Sequence, residues 1–185
     1  ELTVVTQNVD DLHTRAGSRD VLELHGNLFR FLCSREYRPV AYEDTTAAAA
    51  ESLTLEAIER GEGQEPPVCP DCGAPLRPDV VWFGEPLRPR TYALAEQKTL
   101  GCDVFFVIGT SAVVYPAAAL PSIARRAGAL TIEVNPAVTE FTERADVSLR
   151  GKAGEILPRL VELITGAPQS PAGDPPAPRT PRSGS

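Results

Sequence analysis

Apolar runs alternate with helical stretches through the second half of the chain. Residues 103–108 form an almost unbroken apolar run, which predicts a strand of a parallel sheet that is buried on both faces. Residues 130–134 and 147–149 predict two further strands, while residues 117–127 and 153–164 predict helices. Because strands and helices alternate, the pattern indicates an α/β fold with a parallel sheet.

The first half of the chain carries weaker β patterns and more loop signals. Residues 2–6 predict a strand, and the polar residues 7–11 predict a loop at its carboxyl end. Residues 77–85 predict a short extended segment that starts after Pro78 and stops at Gly84, and residues 91–100 predict a helix. Residues 45–60 favour another helix, followed by a loop over residues 61–67.

Changes in composition divide the chain into four segments. Residues 1–32 and 77–165 are expected to form one Rossmann-like domain with a doubly wound parallel sheet. Residues 33–76 are expected to form a small inserted module of the zinc-ribbon type. Pro, Gly, Ser and Ala dominate residues 166–185, which predicts a disordered tail because such a segment buries little apolar area.

Length, charge and cysteine content narrow the possible functions. A formal charge of -7 over 185 residues argues against nucleic-acid binding, which draws on clustered Lys and Arg, and favours a basic peptide partner. No apolar run approaches the roughly 20 residues of a membrane-spanning helix, so a soluble protein without membrane association is expected. The cysteine pattern, without a signal peptide, predicts a reducing compartment, by default the cytoplasm.

The start of the chain also carries an expectation. Glu1 is followed at once by a predicted strand, without the cap or loop that usually precedes a buried strand. We therefore expect that further sequence lies upstream of Glu1. A first Gly-rich βα unit of a Rossmann-like domain is expected to belong to that upstream sequence.

Histidine supplies the clearest candidate for acid–base chemistry near neutral pH. The sequence has only His13 and His25, and His25 lies beside the turn formed by Gly26 and Asn27. A histidine beside a glycine is more often a satisfied structural residue than a catalyst. The local sequence therefore leaves a structural and a catalytic interpretation of His25 open.

Polar residues follow two predicted strands at the edge where α/β proteins bind nucleotides. Gly109, Thr110 and Ser111 follow the first strand, and Asn135 follows the next. In isolation, Gly-Thr-Ser is a tight strand-to-helix turn, but together the two strand ends predict a nucleotide site. The G-x-G-x-x-G pyrophosphate loop is absent from the chain. Either the ligand is not a dinucleotide, or that loop belongs to upstream sequence.

Cysteines border the inserted module and predict a metal site. Cys69 and Cys72 form a Cys-x-x-Cys knuckle, and Cys33 adds a third thiolate. A second Cys-x-x-Cys would place a thiol at position 36, but that residue is Glu36. Two interpretations follow: a zinc site of three thiolates and a carboxylate, or a module that has lost its metal and kept some cysteines. Cys102 opens an apolar strand and is expected to be core.

Six motifs in order carry a resemblance to a known family. They are Thr6-Gln7-Asn8-Val9-Asp10, Leu24-His25-Gly26-Asn27, Cys69-x-x-Cys72, Val81-Trp82-Phe83-Gly84-Glu85, Gly109-Thr110-Ser111 and Val134-Asn135-Pro136. The combination resembles the sirtuin family over residues 2–164, and residues 77–85 are most similar to its class III branch. The resemblance implies a Rossmann domain with a small zinc module, and a cleft between them for NAD and an acyl-lysine peptide.

The resemblance implies an NAD-dependent protein lysine deacylase, a deacetylase or else a desuccinylase or demalonylase, which transfers the acyl group to ADP-ribose and releases nicotinamide. His25 would be the general base that deprotonates a ribose hydroxyl. The other implied roles are nicotinamide and ribose binding by Gln7, Asn8 and Asp10, adenosine binding by Gly109, Thr110, Ser111, Asn135 and Ala153, peptide binding by Val81, Phe83, Gly84 and Glu85, and zinc binding by Cys33, Cys69 and Cys72.

The resemblance also shows where this chain departs from the family. The family's Gly-Ala-Gly phosphate loop, and the Tyr and Arg that select acidic acyl groups, would all lie before Glu1. This chain alone is therefore not expected to cradle pyrophosphate as the family does, and it does not decide the acyl group. A non-catalytic fragment that binds NAD or ADP-ribose is the alternative to an enzyme, and a zinc-ribbon interaction protein is a third interpretation.

Overall fold

The computed structural model describes residues 1–41, 67–111 and 113–166. It divides into two compact units, Glu1–Arg88 and Pro89–Ser185. The helix predicted over residues 45–60, most of the loop predicted over residues 61–67 and nearly all of the predicted tail lie outside the described residues. In the part that is described, every helix falls short of the length and apolarity that a membrane span requires.

The first unit opens with a pair of parallel strands, β1 (Val4–Thr6) and β2 (Val21–Glu23). The short helix α1 (Leu12–Arg15) lies between them in the chain. The predicted strand over residues 2–6 is confirmed from Val4 onward. Because the two strands are parallel, their carboxyl ends deliver the following loops to one edge of the pair.

A three-stranded antiparallel sheet follows, with β3 (Gly26–Cys33) between β4 (Pro39–Val40) and β5 (Leu76–Val80). Strand β5 corresponds to the extended segment that is predicted to start after Pro78 and to stop at Gly84. Both predicted ends are wrong, because β5 begins two residues before Pro78 and ends at Val80. Proline is tolerated there because β5 lies at the edge of its sheet among the described strands, and its pairing with β3 slips beside Pro78. The small core beside this sheet contains Cys33, Val40, Cys69, Ala74 and Leu76.

The second unit is a parallel α/β structure, as the alternating pattern predicts. Its sheet has the order β6-β7-β8, formed by β6 (Val104–Ile108), β7 (Leu130–Asn135) and β8 (Val147–Arg150). The helices are α2 (Pro89–Leu100), α3 (Leu120–Ala127) and α4 (Ala153–Thr165), with 3-10 turns at Ala117–Ala119 and Thr142–Arg144. The predicted strands and helices of this unit are therefore confirmed to within a few residues at their ends.

The prediction that β6 is buried on both faces is wrong for the described chain. Val107 is 3% exposed and packs with Phe141, but Val104, Phe106 and Ile108 are 45%, 36% and 41% exposed. Among the described residues β6 is an edge strand, paired with β7 alone. An apolar run predicts a strand well, but it does not show how many of its faces are covered.

Candidate functional site

His25 lies in the turn that joins β2 to β3. Its Nδ1 atom is 3.0 Å from the backbone carbonyl oxygen of Gln7. A carbonyl oxygen only accepts hydrogen bonds, so this contact assigns the proton to Nδ1. In the neutral imidazole, this tautomer leaves the lone pair on Nε2, which is the atom that would act as a general base.

The backbone around His25 is fixed on both sides. The amide of Val81 donates to the carbonyl oxygen of His25 at 2.8 Å, and the amide of Leu24 donates to Thr6 at 2.9 Å. Gly26 has a φ of +83°, and a Cβ there would lie 1.9 Å from the carbonyl oxygen of Asp79. Only glycine fits this close approach, which explains the Gly that follows the histidine.

The loop after β1 carries three of the predicted nucleotide-binding residues. Gln7 is half-buried and its carbonyl meets His25, whereas Asn8 is exposed. One carboxylate oxygen of Asp10 accepts the amide of Leu12 at 3.1 Å and so begins α1. The structure therefore brings Gln7 together with His25 and Val81, and gives Asp10 a structural contact in addition to its predicted role.

A buried carboxylate, Asp79, and its partly exposed arginine partners, which the sequence prediction missed, support the His25 turn. Asp79 is 5% exposed and accepts Nε of Arg30 at 3.0 Å, and Arg88 also pairs with it. Arg30 reaches Glu23 at 2.8 Å, and the side-chain amide of Asn27 donates to the same carboxylate at 2.7 Å. This network ties β2 to β3 and β5 on both sides of the close approach at Gly26. The sequence signal that could have indicated this carboxylate is an acidic residue, Asp79, directly before the apolar residues Val80 and Val81.

The predicted peptide-binding segment, residues 81–85, is organised by Arg77. Its guanidinium donates to both carboxylate oxygens of Glu85, at 2.6 and 2.9 Å, and to the carbonyl of Val80 at 2.9 Å. It also lies 5.4 Å from the ring centre of Trp82, whose amide donates to Glu85 at 3.1 Å. The bonds from Arg77 and then Trp82 lower the pKa of Glu85 to about 2.

These contacts separate two kinds of residue within the segment. The carboxylate of Glu85 is engaged by its own loop, so Glu85 shapes the segment rather than offering a free charge. Phe83, in contrast, is fully exposed, and Trp82 is 55% exposed. What the segment presents to solvent is therefore the aromatic side chains of Phe83 and Trp82, on a turn closed by the bond from the Glu85 amide to the Trp82 carbonyl at 2.9 Å.

In the second unit, the ends of β6 and β7 are joined by the side chain of Asn135. Its amide nitrogen donates to the carbonyl oxygen of Thr110 at 2.9 Å, and its side-chain oxygen accepts the amide of Ala137 at 3.1 Å. Gly109 has a φ of +63°, and its amide donates to Val134 at 3.0 Å. The structure therefore brings Gly109, Thr110 and Asn135 together, and the exposed Ser111 follows them in the chain.

Glu133 anchors this edge and was missed by the sequence prediction. It is fully buried and accepts hydrogen bonds from Thr139, from Thr142 at 2.8 Å and from Ser148 at 3.0 Å. Arg150 lies 3.2 Å from the same carboxylate. Burial raises the pKa of Glu133, but these hydroxyl bonds and Arg150 outweigh burial, and the pKa is lowered.

Arg150 extends this anchor to the neighbouring loops. It donates to the carbonyl of Asn135 at 3.3 Å, and the amide of Gly151 donates to the same oxygen at 3.4 Å. Ala153, the last of the predicted adenosine residues, is half-buried and opens α4 directly after this loop. The buried acid on β7 therefore holds the segments that carry Asn135 and Ala153.

The three cysteines of the predicted metal site are brought together in the first unit. The Sγ atoms of Cys33, Cys69 and Cys72 all lie within 4.8 Å of one another, and Cys33 and Cys72 are 3.5 Å apart. Burial opposes ionisation of Cys69, but hydrogen bonds from the Cys72 backbone and from Arg38 lower the pKa of its thiol. Three convergent sulfur atoms in a small module core are the ligand type that zinc favours, so the residues present fit a zinc ion. Among the described residues, Glu36 does not join this cluster.

The chain matches known proteins over most of its length. The model of the Sir2 family matches residues 1–116. A protein of Mycobacterium tuberculosis (strain ATCC 25618 / H37Rv) named "NAD-dependent protein deacylase" is 49% identical over 164 residues, which are 89% of this chain and 65% of that protein. A protein of the same name from Pyrococcus furiosus is 48% identical over 162 residues, covering 87% and 60%.

Solved structures agree with these relatives. A Sir2 homologue in complex with NAD superposes with a TM-score of 0.76 at 42% identity, covering 91% of this chain and 60% of that one. A structure described as "Sir2-p53 peptide-NAD+" superposes with a TM-score of 0.75 at 34% identity, covering 90% and 64%. The likeness confirms the predicted Rossmann-like α/β fold. The chain spans 60 to 65% of the length of the two curated relatives named above.

Proposed function

Since the chain belongs to the Sir2 family, we propose that it serves the NAD-dependent removal of acyl groups from protein lysines. The acyl group passes to ADP-ribose and nicotinamide is released. Relatives named NAD-dependent protein deacylase support the activity, and a neighbouring structure that holds both a peptide and NAD+ supports the pair of substrates. The family relation confirms the sirtuin resemblance and leaves the choice between deacetylation, desuccinylation and demalonylation to experiment.

The observation that carries the proposal is the hydrogen bond between His25 Nδ1 and the Gln7 carbonyl. It fixes the tautomer and the ring orientation, so that Nε2 can take a proton from a hydroxyl group. In the deacylase reaction this hydroxyl belongs to the ribose. NAD supplies, when bound, the ribose that receives the acyl group and the nicotinamide that leaves.

The remaining predicted residues fall into roles that each unit supports separately. In the first unit, Gln7, Asn8 and Asp10 form the loop beside His25 and would bind nicotinamide and ribose. In the second unit, the adenosine part of NAD would bind at the carboxyl ends of β6 and β7. A Cβ at Gly109 would meet nothing within 4 Å, so its backbone is open to a ligand. The residues proposed there are Gly109, Thr110, Ser111, Asn135 and Ala153.

The acyl-lysine peptide would pair with residues 81–85 as an added strand, with Val81, Phe83, Gly84 and Glu85 forming its binding segment. The amide of Val81 already donates to His25, so a peptide on this segment lies next to the base. A formal charge of -7 favours basic peptides and disfavours nucleic acid. The four cysteines are free thiols, which supports a reducing compartment such as the cytoplasm.

Substituting His25 tests the proposal. In a protein that carries this chain together with a phosphate-binding loop, we expect nicotinamide release from NAD only when an acyl-lysine peptide is present. His25→Ala should slow this release by roughly 10²- to 10⁴-fold, the usual contribution of a general base. His13→Ala is the matched control and should retain the wild-type rate. An unchanged rate in His25→Ala would remove the assignment, and NAD binding without peptide-dependent release would indicate a binding module instead.

A further inference from the structure

The proposed function leaves Asn27, the last residue of the motif that contains His25, without a role. Its side chain is 3% exposed and is bonded at both ends. Oδ1 accepts the amide of Phe29 at 2.9 Å, and Nδ2 donates to Oε1 of Glu23 at 2.7 Å. A backbone amide only donates and a carboxylate only accepts, so these partners fix which end of the side chain is the oxygen. Asn27 is therefore a defined link from β3 back to Glu23.

Glu23, the last residue of β2, has a separate donor for each of its carboxylate oxygens. Oε1 accepts the amide of Asn27, and Oε2 lies 2.8 Å from Nη1 of Arg30. The side chain of Glu23 is 15% exposed, and Nε of Arg30 is bonded in turn to Asp79 at 3.0 Å. The carboxylate therefore cannot turn away from Asn27 without also giving up its ion pair with Arg30.

The link between Glu23 and Asn27 crosses the turn that holds His25. His25 is two residues after Glu23 and two residues before Asn27. The turn contains Gly26, and glycine has more backbone freedom than any other residue. A side-chain bond that ties the two sides of the turn together is an additional restraint on the backbone that carries the imidazole.

The same turn meets the loop after β1 at two backbone contacts. The amide of Leu24 donates to the carbonyl of Thr6 at 2.9 Å, and the amide of Leu28 donates to the carbonyl of Val9 at 3.0 Å. The carbonyl that meets the imidazole lies between Thr6 and Val9, as the imidazole lies between Leu24 and Leu28. A change in the span of the turn would therefore move the imidazole against that carbonyl.

We propose that Glu23 and Asn27 are positioning residues of the proposed base, which act through the turn rather than by touching a substrate. Their link keeps Nδ1 of His25 on the Gln7 carbonyl, and in the neutral imidazole this leaves the lone pair on Nε2. The role in the reaction rests on the proposed function, whereas the tautomer of His25 can be measured without any substrate.

The donors and acceptors of the link allow amide and carboxylate to be exchanged. Glu23→Gln alone sets an amide NH₂ group against the donor of Asn27 or of Arg30. Asn27→Asp alone sets two carboxylates against each other, and like charges repel. In the double variant the introduced amide donates to the introduced carboxylate and still accepts Arg30, and that carboxylate still accepts the amide of Phe29. The link is then restored with donor and acceptor exchanged.

Long-range ¹H–¹⁵N NMR correlations of the imidazole rings measure the tautomer in the full chain at alkaline pH, where imidazole is neutral. The chain has two histidines, so His13→Ala assigns the signals of His25. In the wild type we expect the Nδ1–H form to exceed the Nε2–H form by about 2- to 10-fold, the ratio that one net hydrogen bond supports. Each single variant should bring the two forms close to equal populations, and the double variant should regain the wild-type ratio.

Thr3→Val is the matched control. The hydroxyl of Thr3 donates to Asp20 at 2.6 Å, directly before β1 and β2 begin and at the opposite end of the strand pair from His25. Its removal breaks a side-chain bond between the same two segments of the chain. It should lower stability but leave the tautomer of His25 unchanged.

A second readout follows the reaction, in a protein that carries this chain together with a phosphate-binding loop. Each single variant should lower kcat by roughly 10- to 10²-fold, because a displaced base reacts slowly, while KM for the peptide stays unchanged. The double variant should regain the wild-type kcat. A rise in KM at constant kcat would overturn the positioning role.

Three tautomer results would also overturn the proposal. The first is a wild-type ratio in both single variants. The second is a double variant that does not regain the wild-type ratio, including one that does not fold. The third is a Thr3→Val ratio shifted as much as that of the single variants. The tautomer measurement needs neither NAD nor peptide, so its failure leaves the proposed function untouched, and a lack of nicotinamide release would refute that function alone.

Discussion

The two regions that carry the candidate site residues are held by different means. At the His25 turn, the first unit combines the ion pairs of Asp79 with close backbone contacts: the carbonyl of Gln7, the amide of Val81 and the close approach at Gly26. At the Asn135 edge, the second unit relies on the buried carboxylate of Glu133. The first region should therefore be sensitive to added volume and the second to lost charge, and each sensitivity can be tested.

The largest effect is expected from added volume at the His25 turn. In Gly26→Ala, the new Cβ would meet the carbonyl of Asp79 at 1.9 Å, and the residue would keep a φ of +83°. We expect a loss of about 3 kcal/mol in the free energy of unfolding, from overpacking and left-handed strain together. Urea denaturation measures this loss.

Gly17→Ala is the control for this effect, because Gly17 has a φ of +94° but a Cβ there would meet nothing within 4 Å. It should cost only the left-handed strain, about 1 kcal/mol. If both variants lose the same stability, the close approach at Gly26 does not hold the His25 turn.

A smaller effect is expected from lost charge at the Asn135 edge. Glu133→Gln keeps the shape of the side chain but weakens its bonds to Thr142 and Ser148 and removes the partner of Arg150. We expect a destabilisation of about 2 kcal/mol, since hydrogen bonds to a buried charge are strong. Glu143→Gln, at an exposed acid in the neighbouring 3-10 turn, should change the unfolding free energy by less than ~0.5 kcal/mol. Equal effects in the two variants would contradict the role of Glu133.

The smallest effect concerns Glu85, which is a charged anchor of the first unit in addition to Asp79. Its pKa is lowered from 4.5 to about 2, first by Arg77 and then by Trp82. A carboxylate with a depressed folded pKa stabilises above its unfolded pKa, and this contribution is lost as the pH falls from about 4.5 to about 2. The chain has a single tryptophan, Trp82, whose fluorescence should report the release of the loop in this window.

Glu85→Gln provides the control, because it should abolish the acid transition of Trp82 fluorescence while leaving the protein folded at neutral pH. A transition that persists in Glu85→Gln would show that other carboxylates, rather than the bond to Arg77, govern the segment. A wild-type midpoint near pH 4.5 would show that Arg77 does not depress the pKa of Glu85.

The sequence correctly predicted the features that are determined by residues close together along the chain. The apolar runs located β6, β7 and β8, and the Cys-x-x-Cys spacing located the knuckle of Cys69 and Cys72. The start of β5 was missed because proline at an edge strand follows rules that depend on its sheet partners. Exposure of β6 was missed because an apolar run does not reveal what covers it.

The anchoring residues were harder to predict because their partners are remote in sequence. Asp79 pairs with Arg30, 49 residues away, and Glu133 pairs with Arg150, 17 residues away. Periodicity reports which face of an element is apolar, but it gives no signal for a buried acid and its distant cation. The role of Glu85 shows the same limit: the motif indicated a peptide segment, but only the contact with Arg77 shows that its carboxylate is already engaged.

The single hydrogen bond from Val81 to the carbonyl of His25 joins the proposed peptide segment to the proposed base. Because they share that bond, a ligand that orders the peptide segment also restricts the motion of the His25 turn, and the reverse holds as well. By thermodynamic reciprocity, a ligand that orders the imidazole strengthens peptide binding by the same factor by which the peptide strengthens that ligand. Under the proposed function, recognition of one substrate would thereby help to prepare the protein for the other.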